Sequence, residues 1–282
     1  MDDYLASNRA LWDEMTPVNE RSAFYHTDSF ATNQDEIRLR DYEIEDIGDV
    51  RGKSLLHLQC HFGLDTLSWA RLGAKVTGAD FSKQGLGEAR GLAARTGIDA
   101  EFVWCEDIVK LPDYLDAEAA YDIVYTSGGV LGWLPDLDSW ARMAAHFVKP
   151  GGVFYVADGH PLLWVYDDDE GVKDLRLRYH YWTRPEPIVI PVKGSYADTS
   201  AELHSPLEYG WNHSMGEIVT AVAQAGLHIE FLREMDFVHW PMPFLVEGAD
   251  GRWRLPPDAG GELPLFFALK ATRPAAPADS NF

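Results

Sequence analysis

A chain of 282 residues with 46% hydrophobic and 24% charged side chains has an ordinary globular composition, long enough for one substantial core plus an insertion. Its formal net charge of −21 repels nucleic-acid phosphates and anionic lipid, so neither is expected as a partner. Two cysteines, Cys60 and Cys105, no leading signal segment and no apolar run long enough to span a bilayer point to a reducing cytoplasm.

In chain order, residues 1–50 read as a helical cover. Leu5, Asn8, Leu11, Trp12 and Met15 fall on one helix face, which should end near Pro17, and Ile37 to Ile47 reads as a second helix. From Lys53 to Ala157, strands at 53–58, 74–79, 101–105, 121–126 and 152–157 alternate with helices at 64–72, 83–96 and 137–148. That alternation predicts a parallel sheet with helices on both faces. It breaks down over 160–208, an aromatic, proline-containing insertion with short β-like runs at 175–182 and 188–192. A segment of this kind reads as a β-rich lid or as a contact for a second copy of the chain. Ser214 and Glu217 then form a capping-box pattern that opens a helix, with Ile218, Ala221, Val222 and Ala225 on one face and Gly226 closing it. Strands Leu227 to Phe237 and Leu263 to Arg273 follow. The chain thus divides into cover (1–50), core (51–159), insertion (160–208), completion of the core sheet (209–273) and an Ala/Pro-rich tail (274–282) expected to be mobile.

The turn Leu58-Gln59-Cys60-His61-Phe62-Gly63-Leu64-Asp65 stands between an apolar strand and a helical pattern, a shape that offers backbone N–H groups and a helix N-terminus to a ligand. The next strand ends at Asp80, at a distance from which a carboxylate reaches the ribose hydroxyls of a nucleoside cofactor. His57, Cys60 and His61 do not converge as three or four tetrahedral ligands on an alternating strand, so no metal is expected.

With these elements placed, the chain resembles a class I S-adenosylmethionine-dependent methyltransferase over about residues 50 to 273. The glycine-rich first motif falls on His57 to Gly63, and the acidic end of strand two on Asp80. Asp107 stands after strand three, Tyr121 to Ser127 forms strand four, and Lys149-Pro150-Gly151-Gly152 precedes strand five. The resemblance implies a doubly wound, seven-stranded, mostly parallel sheet whose last strand is antiparallel, and S-adenosylmethionine as cofactor. Carried onto this sequence, it puts Gln59, Cys60, His61, Gly63, Asp80, Phe81, Asp107, Ile108, Thr126 and Ser127 around that cofactor. Two expected glycines are Gln59 and His61, and the usual acidic residue before them is His57. Those two residues must adopt uncommon dihedrals or hold the cofactor with their side chains. The missing G-x-G-x-x-G cradle also weighs against a nicotinamide oxidoreductase, whose pyrophosphate needs it. A ligand-binding protein with this fold and no catalysis is the other alternative.

On the acceptor side, His160 leaves the carboxyl end of strand five and His213 precedes the capping-box helix, so both are candidate general bases. Tyr25, Trp133, Trp164 and Trp211 are candidate walls of a pocket for a small-molecule methyl acceptor carrying an O, N or S nucleophile.

Overall fold

The structure is a computed structural model, and its residues 2–169, 171–259 and 261–275 are described. Three helices come first: α1 (Asp2–Arg21), α2 (Thr27–Thr32) and α3 (Asp41–Ile47). The alternating section runs β1 (Ser54–Leu58), α4 (Leu64–Arg71), β2 (Lys75–Asp80), α5 (Lys83–Thr96), β3 (Glu101–Trp104), β4 (Tyr121–Ser127), α6 (Leu137–Phe147) and β5 (Val148–Gly159). After it come a short hairpin of β6 (Ile188–Pro191) and β7 (Leu207–Gly210), then α7 (Met215–Gln224) and β8 (His228–Met235). A second small hairpin, β9 (Val246–Glu247) and β10 (Trp253–Arg254), precedes β11 (Phe266–Thr272).

Seven of these strands form one sheet in the order β3-β2-β1-β4-β5-β11-β8. The pairs from β3 to β5 are parallel, and β11 is antiparallel to both β5 and β8. This is the seven-stranded sheet with an antiparallel last strand that the sequence predicts. Leu56, Val124, Phe154 and Val156 pack on Trp140, Met143 and Phe147 of α6 and Ile218 and Val222 of α7. The opposite face carries Leu55, Ile123, Tyr125 and Tyr155 against Trp69 of α4 and Ile47 of α3. Both faces are buried because parallel strands joined by crossover helices are covered on each side.

Several boundaries differ from expectation. Helix α1 runs through Pro17 to Arg21. Pro17 forfeits one backbone bond, but α1 is fastened along its length, which outweighs that loss. The Asn8 amide donates to the Tyr209 carbonyl (2.7 Å) and accepts the Tyr209 N–H (2.9 Å), so it acts as an extra rung on β7. Asn19 bonds Ser195 and Tyr196, Glu14 receives the Ser205 hydroxyl, and Asp13 receives the Ser82 hydroxyl at the start of α5. Helix α3 begins only at Asp41, because the Arg38 N–H goes to Ser68 and the Arg40 N–H to Glu43, which stops the helical ladder there. The β-like run at 175–182 is irregular apart from a single bridge between Tyr166 and Leu177, so the hairpin β6–β7 is the one ladder of the expected β-rich insertion among the described residues. The tail expected to be mobile lies, beyond Ala275, outside the described residues.

One carboxylate shapes the rim of the sheet. Asp158 near the end of β5 is buried and accepts the N–H groups of Gly129, Val130, Leu131 and Gly159 at 2.6–2.9 Å. Burial pushes its carboxyl up, and the four N–H groups pull it back toward ionisation. Asp158→Ala strands several buried donors and should cost roughly 2–4 kcal/mol, read as a lower urea midpoint. An unchanged midpoint would mean that water replaces the carboxylate without loss.

Candidate active site

The β1–α4 turn keeps its shape although two expected glycines are absent. Gln59 and His61 both take left-handed dihedrals, with φ of 56° and 53°. Such a conformation costs a side-chain-bearing residue about 1–2 kcal/mol, so something must offset it. For Gln59 the offset is its amide, which donates to the Val130 carbonyl and accepts the Trp140 indole N–H, each at 3.2 Å. For His61 it is the backbone N–H, received by the Asp80 carboxylate at 2.8 Å. At Gly63 no such exchange is open. Its φ is +77°, and a Cβ there would lie 2.9 Å from the Phe102 ring and 3.0 Å from Ala89.

Asp80 ends β2 directly beneath this turn, buried, with its second oxygen receiving the Ser82 N–H at 2.8 Å. Burial raises its carboxyl to about 6, while the Ser82 and His61 N–H groups act the other way. Each oxygen has accepted one of the bonds named here and has lone-pair capacity for another. Beside it opens a cleft of about 430 Å³, mouth included, lined by Gln59, Phe81, Asp107 and Ile108 of the core and by Leu5 and Asn8 of α1. Asp107 receives the Val109 N–H at 3.0 Å and so caps the 3₁₀ turn Ile108–Asp113. Trp133 also lines the cleft, its indole N–H held by the Gly129 carbonyl.

Three other residues expected at the cofactor are turned away from this cleft or shared with the fold. The Cys60 thiol is buried and points at Gly78, where a Cβ would come within 2.8 Å of its sulfur; burial and Asp80 hold the thiol protonated. Thr126 is fully buried and gives its hydroxyl to the Leu58 carbonyl. The Ser127 hydroxyl reaches Asp65 at 3.2 Å.

Beyond Trp133 the rings of α1, the turn and the insertion meet. Trp12 stands edge-on to His61 (centroids 5.1 Å), to Trp133 (5.3 Å) and to Tyr196 (6.3 Å), and Tyr25 packs against His61 and Phe62. Tyr25 and Tyr196 share a hydrogen bond between their hydroxyls. Both Trp12 Nε1 and His61 Nε2 are shielded from solvent and have no hydrogen-bond partner among the described residues. Burial lowers the His61 imidazole to about 3, so it is neutral at ordinary pH. Trp12 and Tyr196 were not among the expected site residues. Trp12 fell on a predicted helix face and so counted as packing, and nothing local marks Tyr196 as a partner of a helix 180 positions earlier in the chain, roughly, since its bonds are set by docking of the insertion.

The candidate bases stand elsewhere. His160 Nε2 meets Glu234 on β8 at 2.9 Å, and its Nδ1 receives the Leu162 N–H. His213 Nε2 donates to the Leu134 carbonyl at 2.7 Å, and its Nδ1 meets the Thr183 hydroxyl. Neither presents a free ring nitrogen. Trp164, Trp211 and His213 line a second, open depression, which touches Leu131 and Gly132, whereas Trp133 and Leu134 face the first cleft. Trp164 stacks on Trp240, and Trp211 is buried.

A carboxylate ending the second strand, a tight turn after the first and a cleft at the carboxyl edge define a protein that binds a nucleoside-containing cofactor. A methyltransferase-domain family model matches residues 56–154. The chain is 30% identical over 176 residues to the ubiquinone biosynthesis O-methyltransferase of Sinorhizobium medicae (strain WSM419), spanning 58% of this chain and 69% of that protein. The protein of the same description from Sinorhizobium fredii (strain NBRC 101917 / NGR234) is 29% identical over the same shares. Among solved structures, an S-adenosylmethionine-dependent methyltransferase from Mesorhizobium loti superposes with a TM-score of 0.54 at 20% identity, covering 82% of this chain and 96% of that one. The chain belongs to the class I S-adenosylmethionine-dependent methyltransferases, and S-adenosylmethionine is its cofactor. The residues present fit that molecule: a carboxylate with spare acceptor capacity lies beside a cleft with apolar walls, and two unpaired ring nitrogens stand past Trp133.

Because their ring nitrogens serve the fold, His160→Gln and His213→Gln should act mainly on stability. For His213, losing the buried bond to Leu134 should cost roughly 1–3 kcal/mol. Urea unfolding beside turnover of the folded variants tests this, and a hundredfold fall in turnover at unchanged stability would restore a catalytic role.

Proposed function

We propose that this methyltransferase acts on a small-molecule acceptor, with the adenosine of its cosubstrate lying along Phe81, Asp107 and Ile108 and its ribose on Asp80. The observation that carries the reading is that Gln59, Phe81, Asp107 and Ile108 line one cleft at the carboxyl edge of β2 and β3, next in the chain to Asp80, which ends β2. When bound, S-adenosylmethionine supplies an electrophilic methyl group on a sulfonium. The chain's part is to hold the two reactants in line and keep water out. Helix α1 serves the second task, since Leu5 and Asn8 close the cleft and Asn8, Asp13, Glu14 and Asn19 fasten the helix to core and insertion. The relatives named as O-methyltransferases favour oxygen among the O, N and S nucleophiles. Tyr25 and Trp133, with Tyr196, suit an apolar or planar acceptor, and Trp164 and Trp211 offer a further apolar wall at the second depression.

No helix among the described residues is long and apolar enough to cross a membrane. The acidic charge supports a cytoplasmic enzyme without nucleic-acid or membrane partners. Exposed Leu177, Trp182 and Val189 on the insertion support a homodimer contact there.

Two experiments test this reading. Incubation with S-adenosylmethionine and a panel of phenols, amines and thiols should release S-adenosylhomocysteine chiefly with a phenol, followed by mass spectrometry. Release only with large macromolecular acceptors would sink the small-molecule assignment. Calorimetry with S-adenosylhomocysteine tests the role of Asp80. Ribose hydroxyls donate to the ionised carboxylate, whose free value is raised to about 6, so binding below that pH must expel a proton. Affinity should therefore rise from pH 5 to 7 and level off above. Asp80→Asn should flatten the profile and weaken binding by roughly 1.5–3 kcal/mol at pH 7.5. A steep profile that persists in the variant would assign the proton to another group.

A further inference from the structure

Three backbone donors of the β1–α4 turn are spent within the fold. The Cys60 N–H goes to the Ala79 carbonyl at 3.0 Å, the His61 N–H to Asp80 at 2.8 Å and the Gly63 N–H to the Cys60 carbonyl at 2.9 Å. With those three groups engaged, fewer backbone donors of the turn are left for an anion. The cosubstrate nevertheless brings an anion, the α-carboxylate of its amino-acid arm. With adenosine over Phe81, Asp107 and Ile108 on the β3 side and ribose at Asp80, the arm must leave in the other direction, over β1 and its turn.

Of the three buried ring nitrogens without a partner among the described residues, Trp69 Nε1 lies in the core beside Tyr125, and the other two stand together at the turn. His61 belongs to the turn itself, and its backbone N–H sits on the ribose-binding carboxylate. Trp12 descends from α1, its ring 5.1 Å from the imidazole and at 77° to it. An indole N–H only donates, so its missing partner must offer an acceptor. A neutral imidazole can present a second N–H from Nε2. A buried donor left unpaired costs about 1–3 kcal/mol, which a ligand oxygen would recover. A carboxylate has two oxygens, one for each ring.

We propose that Trp12 Nε1 and His61 Nε2 form a two-point clamp for the α-carboxylate of the cosubstrate, a side-chain replacement for the backbone cradle of a glycine-rich turn. This rests on the reading of the cleft as the S-adenosylmethionine site. It also explains why histidine stands at position 61 in a left-handed conformation: the side chain that strains the backbone there is the one that binds. Since Trp12 rides on α1, the carboxylate joins the cover to the core when it binds.

The test uses two ligands that differ in the amino-acid arm. S-adenosylhomocysteine carries the carboxylate, and 5′-methylthioadenosine keeps the adenosine and thioether without it. By calorimetry on the full chain, Trp12→Phe and His61→Asn, the latter tolerant of a left-handed backbone, should each weaken S-adenosylhomocysteine about 10- to 100-fold and change 5′-methylthioadenosine less than about twofold. Equal losses for both ligands, or unchanged affinity for S-adenosylhomocysteine in both variants, would overturn the clamp. Wild-type protein that binds neither ligand would overturn the cofactor reading beneath it as well, which separates the two failures. Hydrogen exchange on the wild type supplies a readout free of substitutions. S-adenosylhomocysteine should slow exchange across residues 5–19 of α1 and 5′-methylthioadenosine should not, and equal protection by both counts against the clamp.

Discussion

The carboxylate of Asp80 is the constraint on which the site depends. One oxygen receives the His61 N–H and the other the Ser82 N–H, so a single side chain at the end of β2 ties the turn after β1 to the start of α5. Those bonds hold His61 at positive φ, which a residue with a side chain otherwise avoids. The same carboxylate keeps lone pairs for a ligand. Its burial favours the protonated form, so a ligand that donates to it also restores its charge.

Around that group the structure is closed from above by a helix that belongs as much to the insertion as to the core. Helix α1 would be a weak cover on propensity alone, with a proline inside it. Its hold comes from polar side chains that reach partners far along the chain: Asn8 on β7, Glu14 on Ser205, Asn19 on Ser195 and Asp13 on Ser82. Cover and insertion are therefore joined, with the rings of Trp12 and Tyr25 meeting the half-exposed ring of Tyr196 where they touch.

A second buried group of acids lies below the site. Glu43 of α3 accepts the Tyr125 hydroxyl at 2.8 Å, and burial together with the nearby Asp65 raises its carboxyl to about 7. Asp65 is raised by burial as well, and Ser127 donates to it. These bonds anchor α3 and the start of α4 to β4, so the turn rests on a polar layer as well as on the apolar core. Tyr25 feels the charge of Asp65, which links this layer to the aromatic rings above it.

The amino-acid sequence by itself determined the sheet and the standing of Asp80 and Asp107 after its strand ends. Alternating strands and helices between Lys53 and Ala157 carry their periodicity in consecutive residues, and Asp80 and Asp107 follow strand ends that the pattern marks. Local bonds also decide the capping box at Ser214 and Glu217, which the structure shows with the Glu217 carboxylate on the Ser214 N–H at 2.7 Å. Tertiary structure decided what distant segments do to one another. His160 and His213 emerge where a sequence reading puts a base, but Glu234, Leu134 and Thr183 occupy them, and no local pattern announces partners on other elements. Trp12 reads as one more apolar residue on a helix face, and only the docking of α1 onto the turn leaves its Nε1, with Nε2 of His61, buried and unmatched. Periodicity records which face of an element is covered; which atoms are left without a partner depends on every element packed around them.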